Sequence, residues 1–305
     1  MLACEFSRQV GTSYTTFKKN NYHRMKLYKI EAGVFQVDGG AMFGVVPKRV
    51  WQKRYPCDEN NSCLLAMRCL LIDTGSRKIL IDNGTGDKQL DYLKYYGFKG
   101  VIDFDTELAK IGYTAADITD VVFTHLHFDH CGGATRYNAD KTEVELVFPN
   151  AVHWVGQKQW ENFLNPNVRE GDSYFPENMI PVERAGKLKL VTDDFDLTPD
   201  VSIRLFNGHT AGQLVSFIHY NGQTLVYVGD VVPVADSIPV AWISAYDVYP
   251  ITAMTEKEAL LKEVSGNDFV LFFEHDAYTE CCTVKNINGK FRPGIRFKLD
   301  EFMVG

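Results

Sequence analysis

Apolar residues in this chain come mostly in short runs or in alternation with polar ones, and few stretches show helical spacing. Residues 26–37 alternate around Gly33 and predict a strand. Residues 64–73 are apolar, Thr74-Gly75-Ser76-Arg77 makes a polar turn, and 78–82 return, which predicts a hairpin. Residues 90–97 and 105–111 read as helices, and Thr114 to Asp117 as a cap or turn ahead of the buried run Asp120-Val121-Val122-Phe123. Strands follow at 144–148 and 151–155, and Trp160, Phe163 and Leu164 give 156–164 a helical spacing. Residues 165–184 read as turns. The β pattern resumes at 188–191 and 201–206, and a second hairpin, 213–220 with 224–228, turns at Asn221-Gly222. Residues 256–264 predict a helix and 268–273 a buried strand. Two β-rich halves with helices between them point to a sandwich, not to one parallel α/β sheet.

Composition narrows the function classes. With 305 residues and 45% hydrophobic content, the chain can bury a substantial core. No apolar run approaches the roughly 18 residues a membrane span needs, so no membrane partner is expected. A net charge of −7 argues against a nucleic-acid partner, and the run Lys48, Arg49, Lys53, Arg54 reads as a solvated loop. Seven cysteines, an odd number scattered through apolar sequence, predict reduced thiols and a cytoplasmic setting. Residues 1–24 are polar and lack the apolar stretch of a signal peptide. They read as a loosely ordered extension, or as sequence upstream of a functional start at Met25, with 25–305 forming one domain.

The candidate chemistry lies where the β pattern breaks. Thr124-His125-Leu126-His127-Phe128-Asp129-His130 puts three of eight histidines and one aspartate within seven residues. Crowded imidazoles repel when protonated and need partners when buried, and a divalent cation removes that cost. His125 and His127 can point the same way from an extended strand end. Three other β-like runs also end in a potential ligand: 202–206 leads to His209, 225–229 to Asp230, and 269–274 to His275. His23, His153 and His219 read as ordinary histidines. The five remaining histidines and two aspartates are too many for one tetrahedral ion and suit two. Neither imidazole nor carboxylate decides the metal: zinc is expected, and iron or manganese accept the same donors.

As a set, H-x-H-x-D-H at 125–130, Gly208-His209-Thr210, Gly229-Asp230 and His275 resemble the metallo-β-lactamase-fold hydrolases. The resemblance implies an α+β fold, a four-layer αβ/βα sandwich of two mixed β-sheets flanked by helices, with metals at one edge. It implies that His125, His127 and His209 hold one ion, that Asp129, His130 and His275 hold the other, and that Asp230 bridges them. Asp82 in Ile81-Asp82-Asn83-Gly84 matches an aspartate that orients a ligand from behind. Two ions about 3.5–4 Å apart can clamp attacking and leaving oxygens and supply a hydroxide nucleophile, with Asp129 passing a proton to the leaving group.

Within that superfamily the bridging Asp230 argues against a true β-lactamase, and the acidic charge against RNA processing. The 285–305 tail does not match glyoxalase II thioesterases. The stretch 37–44 with Pro47 and Trp51 resembles the lactonase and organophosphate-hydrolase branch. A lactone or ester substrate is therefore expected, with phosphotriester hydrolysis or iron-dependent persulfide oxidation as alternatives and a non-enzymatic metal sensor the least favoured. Two departures stand out: Val231-Val232-Pro233 lacks the tyrosine many lactonases carry three residues after the bridging aspartate, and Gln213 replaces a second histidine after His209. Met42, Phe43, Trp51, Trp160 and Phe175 are the candidate substrate-pocket residues, each equally compatible with core packing. The expected partner is a small molecule, and a homodimer stays open.

Overall fold

The computed structural model describes residues 25–304. The expected N-terminal extension, with His23, lies outside the described residues. Strands β1 (Lys26–Asp38), β2 (Ser62–Asp73), β3 (Lys78–Ile81) and β4 (Asp120–Val122) open the first sheet. After a small hairpin of β5 (Thr135–Tyr137) and β6 (Val144–Leu146), β7 (Val152–Gly156) and β8 (Leu188–Val191) complete it. Its order is β1-β2-β3-β4-β7-β8, antiparallel through β3 and parallel from there on. The second sheet contains β9 (Phe195–Thr198), β10 (Val201–Phe206), β11 (Gln213–Tyr220), β12 (Gln223–Tyr227), β13 (Val270–Phe272), β14 (Cys281–Ile287) and β15 (Lys290–Phe297). These run in reverse order from β15 to β9, and only β12 and β13 are parallel.

Central strands read as unbroken apolar runs because both of their faces are buried. In β3, Ile79 and Ile81 face the second sheet while Leu80 faces outward. In β12 and β13, Leu225, Tyr227, Val270 and Phe272 face the first sheet while Val226 and Leu271 face outward. The inner layer therefore joins the two sheets, and each outer face is covered by helices. Helices α1 (Gly39–Phe43) and α2 (Lys48–Trp51) follow β1. Helices α3 (Phe104–Lys110), α4 (Phe128–Cys131), α5 (Gln157–Leu164) and α6 (Pro176–Arg184) belong with the first sheet, and α7 (Pro250–Gly266) covers the second. A terminal α8 (Leu299–Val304) packs Leu299 and Phe302 into the inner layer. This is the expected four-layer αβ/βα sandwich.

Several local expectations change. Residues 90–97 form turns with only a 3-10 turn at Lys94–Tyr96, because Tyr92 and Tyr95 are exposed and no apolar stripe is buried there. The turn-rich reading of 165–184 missed α6, whose Pro176 occupies the first helical turn, where its missing N–H costs nothing. The β14–β15 hairpin was not anticipated. The described cysteines are free thiols, five of the six buried. Among the described residues no helix is long and apolar enough to cross a membrane.

Candidate metal centre

Two strand ends build the floor of the site. β3 and β4 lie parallel, so Asp82 and Thr124 emerge side by side at one sheet edge. Asp82 adopts a left-handed backbone, φ 55°, which turns its carboxylate under the histidine segment. Its Oδ1 accepts the Thr124 backbone N–H at 2.7 Å, and its Oδ2 accepts the Thr124 hydroxyl at 2.6 Å. The chain then passes His127 into the single turn of α4. Gly132 follows, where a Cβ would stand 2.0 Å from the Thr85 carbonyl, so only glycine lets the 83–86 segment lie against the turn. Cys131 packs behind it, its thiol directed at the Leu126 carbonyl 3.3 Å away.

The second sheet delivers the other candidates. β10 leads to His209, β12 to Asp230 and β13 to His275. The last of these crosses between sheets, with Ala66 of β2 donating its N–H to the His275 carbonyl at 3.0 Å and Arg68 its own to that of Glu274 at 3.1 Å. The buried Arg68 guanidinium then ties down the following loop through the Phe273 and Asp276 carbonyls, at 2.8 and 2.9 Å.

All seven sequence-predicted ligand residues converge. His125 Nε2 faces His127 Nδ1 at 2.9 Å, and His209 Nε2 faces the same atom at 3.3 Å. In the neighbouring group, His275 Nε2 faces His130 Nε2 at 3.1 Å, and Asp129 Oδ2 lies 3.6 and 3.7 Å from these two nitrogens. Asp230 stands between the groups, its Oδ2 3.3 Å from His209 Nε2 and its Oδ1 3.1 Å from His275 Nε2. Within each triad, His125–His127–His209 and Asp129–His130–His275, one donor atom per residue lies within 4.8 Å of the others.

The opposite nitrogen of each ring meets a partner outside the cluster. His209 Nδ1 is 3.0 Å from Asp247 Oδ1, His275 Nδ1 2.8 Å from the Ala66 carbonyl and His125 Nδ1 3.1 Å from the Thr124 hydroxyl. His127 Nε2 is 3.2 Å from Glu170 Oε1. His130 Nδ1 meets two carboxylates, Asp82 Oδ2 at 3.1 Å and Glu274 Oε2 at 3.0 Å. A ring nitrogen that donates outward leaves its partner's lone pair pointing in. Lone pairs facing one another at these distances repel unless a cation sits among them. The donor set therefore fits a divalent metal, and the orienting carboxylates and carbonyls are the supports such ligands need.

Electrostatics divide the rings. At His130, His209 and His275 burial works against the charged form, but the nearby carboxylates, Glu274 and Asp129 at His130 and Asp230 at His209 and His275, outweigh it. All three are raised, His275 to about 9, so a metal there would have to displace their protons. Burial, then the neighbouring rings, hold His125 well below its ordinary value, and burial also lowers His127, so both stay neutral and able to bind. Burial works against the Asp230 carboxylate, but His275, His209 and His130 outweigh it and hold its pKa far below the usual range. Burial, then the Asp82 charge, pushes Glu274 up to about 8.

A cavity opens over the cluster. Phe35, Val37, Met42, Leu65 and Phe128 form apolar walls, Asp129, Asp230, His127, His209 and His275 the polar end, and Arg169, Ser173, Ser244 and Tyr246 the rest of the rim. Pro233, three residues after Asp230, lines it too and has no hydroxyl to offer. Of the five candidate pocket residues only Met42 reaches this cavity. Phe43 and Trp51 are buried and stack on each other at 4.9 Å, and Trp160 stacks on Phe163 at 5.2 Å. Phe175 sits behind Phe128, ring centroids 6.3 Å apart, and against Tyr92. Aromatic bulk made these four look like pocket walls; the core takes Phe43, Trp51 and Trp160, and Phe175 stays half-buried behind Phe128. Of the remaining histidines, His153 is buried in β7 and stacked on Phe123, and His219 is exposed on β11. Gln213 is buried, and among the described residues its amide has no hydrogen-bond partner.

Glu170, Asp247 and Glu274 were not anticipated. Glu274 carried a usable signal, a charged residue at the end of a buried strand. Glu170 and Asp247 are single acids in turn segments with no spacing that singles them out.

Layers, donor set and covered edge together define a metal-binding sandwich of the hydrolase type. The chain belongs to the metallo-beta-lactamase superfamily, whose family model matches residues 68–275. It is similar to a "probable metal-dependent hydrolase" of Staphylococcus aureus, with 30% identity, TM-score 0.82, and coverage of 90% of this chain and 96% of that one. It is also similar to the N-acyl homoserine lactonase AiiA of Bacillus thuringiensis subsp. kurstaki, at 24% identity over 71% of this chain and 83% of the relative. The fold is shared with AidC, a dizinc quorum-quenching lactonase solved with a product, with TM-score 0.73 and 21% identity over 91% of this chain and 96% of that one.

Proposed function

We propose that this protein is a dinuclear metal-dependent hydrolase acting on a lactone or ester. The observation that carries the reading is Asp230, one carboxylate placed between two histidine groups and lining, with His127, His209 and His275, an apolar-walled cavity. His125, His127 and His209 would hold one ion, Asp129, His130 and His275 the other, and Asp230 both. When bound, the ions lower the pKa of a water and polarise the substrate carbonyl.

The chain's own residues do the rest. Asp247, Glu170 and Asp82 keep the histidines in one orientation, so no reorganisation is needed as the reaction proceeds. Phe35, Val37 and Leu65 exclude water from the acyl side. Asp129 lines the cavity, half-buried, and can pass a proton to the leaving oxygen as the ester bond breaks. The acyl-homoserine lactonases among its relatives make those lactones the first substrates to try.

Protein loaded separately with zinc, manganese and iron, then assayed on acyl-homoserine lactones, aryl esters and phosphotriesters, tests the reading. Turnover of lactones or esters, lost on chelation, is the expected result. Oxidation of a persulfide by the iron form, with no hydrolysis in the panel, would overturn it. In an Asp129→Asn variant with unchanged metal content, retained turnover would remove the proton-transfer role.

A further inference from the structure

We propose that the cavity accepts a substrate bearing a second, anionic group, a carboxylate or phosphate, and that Arg169 binds it at the rim. The proposal rests on the hydrolase reading for the bond that breaks, but not for the binding itself.

Of the charged side chains lining the cavity, the histidines and aspartates converge on the metal cluster. Glu170 is fully committed. Its Oε1 meets His127, the Thr210 hydroxyl at 2.6 Å and the Tyr174 hydroxyl at 2.8 Å, and its Oε2 accepts from Asn162 and Asn167. Arg169 alone remains. Among the described residues its guanidinium makes no ion pair and no hydrogen bond; the one hydrogen bond of this residue outside regular structure is through its backbone N–H.

Its placement is not accidental to the turn. Asn167 Oδ1 accepts the backbone N–H groups of both Arg169 and Glu170, at 3.0 and 3.1 Å, and the Ser173 N–H returns to the Glu170 carbonyl at 2.8 Å. Glu170 is drawn inward to His127, which holds the preceding residue at the cavity mouth, while Val168 points wholly to solvent. Arg169 is exposed, and its side chain reaches the lining of a cavity whose other walls include Phe35, Val37 and Leu65. A ligand that places one oxygenated end at the cluster and spans those walls would bring its far end to Arg169.

Guanidinium pairs with carboxylate and phosphate through two parallel N–H bonds, a geometry that neutral groups do not match. The net charge of −7 gives an anionic ligand no general attraction to this protein, so a local cation decides whether one enters.

Isothermal titration of the metal-loaded full chain with succinate, glutarate, adipate and pimelate, against butyrate, pentanoate, hexanoate and heptanoate, tests this without turnover. In each pair one carboxylate can meet the metals, and only the diacid has a second. The best diacid is expected to bind about tenfold more tightly than its monoacid, as one charge-assisted contact allows. Arg169→Gln should abolish that advantage, and Arg169→Lys should keep part of it. Phosphonoacetate in place of succinate tells whether phosphate or carboxylate is preferred. Equal affinity of the two series, binding by neither, or an advantage undiminished in Arg169→Gln would overturn the proposal. An intact diacid advantage in a protein that hydrolyses no ester or lactone would instead overturn the hydrolase reading and leave the anion site standing.

Discussion

Glu170 Oε1 lies 3.2 Å from His127 Nε2, and that contact decides which nitrogen of the ring faces the cluster. His127 thus presents Nδ1, whereas His125, His130, His209 and His275 present Nε2. Glu170→Gln keeps the size but replaces a charged acceptor by an amide that can also donate. Metal affinity is expected to fall by about ten- to a hundredfold, with the fold retained, as removal of such a support usually does. Competition with a colorimetric chelator on the purified variant measures it. Unchanged affinity would show that Nδ1 is held inward by packing against Tyr174 alone.

Asp230 makes a different prediction, because its two oxygens serve two groups. Asp230→Asn leaves one neutral oxygen where two charged ones stood. Bound metal should drop from about two ions per chain toward about one, as expected for loss of a bridge. Elemental analysis after exhaustive dialysis reads this directly. Two ions retained at full affinity would mean that each group is complete without the bridge.

Much of this site was legible in the chain because its candidate ligands sit at or just beyond strand ends. His125, His127, Asp129 and His130 are adjacent in sequence, and the runs before His209, Asp230 and His275 are apolar enough to mark buried strands. The two-sheet architecture followed from the same runs. Glu170 and Asp247 were not legible, since each reaches its histidine from a turn whose path is set by tertiary packing. The pocket walls failed for a related reason. Trp51 and Trp160 have the composition of a binding surface, but whether an aromatic ring lines a cavity or fills a core depends on which neighbours the fold brings to it.

The glycines of the ligand turn offer a test of how closely fold and site are joined. A Cβ at Gly132 would stand 2.0 Å from the Thr85 carbonyl, a backbone atom that cannot rotate away, whereas at Gly171 nothing lies within 4 Å. Gly132→Ala should therefore cost roughly 3 kcal/mol or more of stability. It should also lower metal content, because the displaced segment directly follows Asp82. Gly171→Ala should leave both unchanged. Urea denaturation of the two variants, with metal analysis on the same samples, checks the pair. A mild Gly132→Ala would mean that the 83–86 segment yields without disturbing His130.

Lys257 is buried in α7, its ammonium donating to the Trp242 carbonyl at 2.9 Å, in the loop that also holds Asp247 and Tyr246. Burial lowers its pKa to about 7, with the Asp247 charge only partly opposing. In the unfolded chain the same group titrates near 10.4. Between those values the unfolded chain binds more protons than the folded one, so this lysine makes stability rise with pH, by up to about 1.4 kcal/mol per unit. Below about pH 7 both states are protonated and the full penalty is present. Above about pH 10.4 both are neutral and it is gone. Lys257→Met keeps most of the volume and removes the proton. The variant's gain over the parent protein should be largest near pH 7 and shrink steadily toward about pH 9 as the penalty fades, offset throughout by the lost hydrogen bond to Trp242. Denaturant midpoints for both proteins across that range measure the difference. Parallel curves would show that the ammonium is hydrated in the folded protein, and the loop over the metal centre would then be more open than its hydrogen bonds indicate.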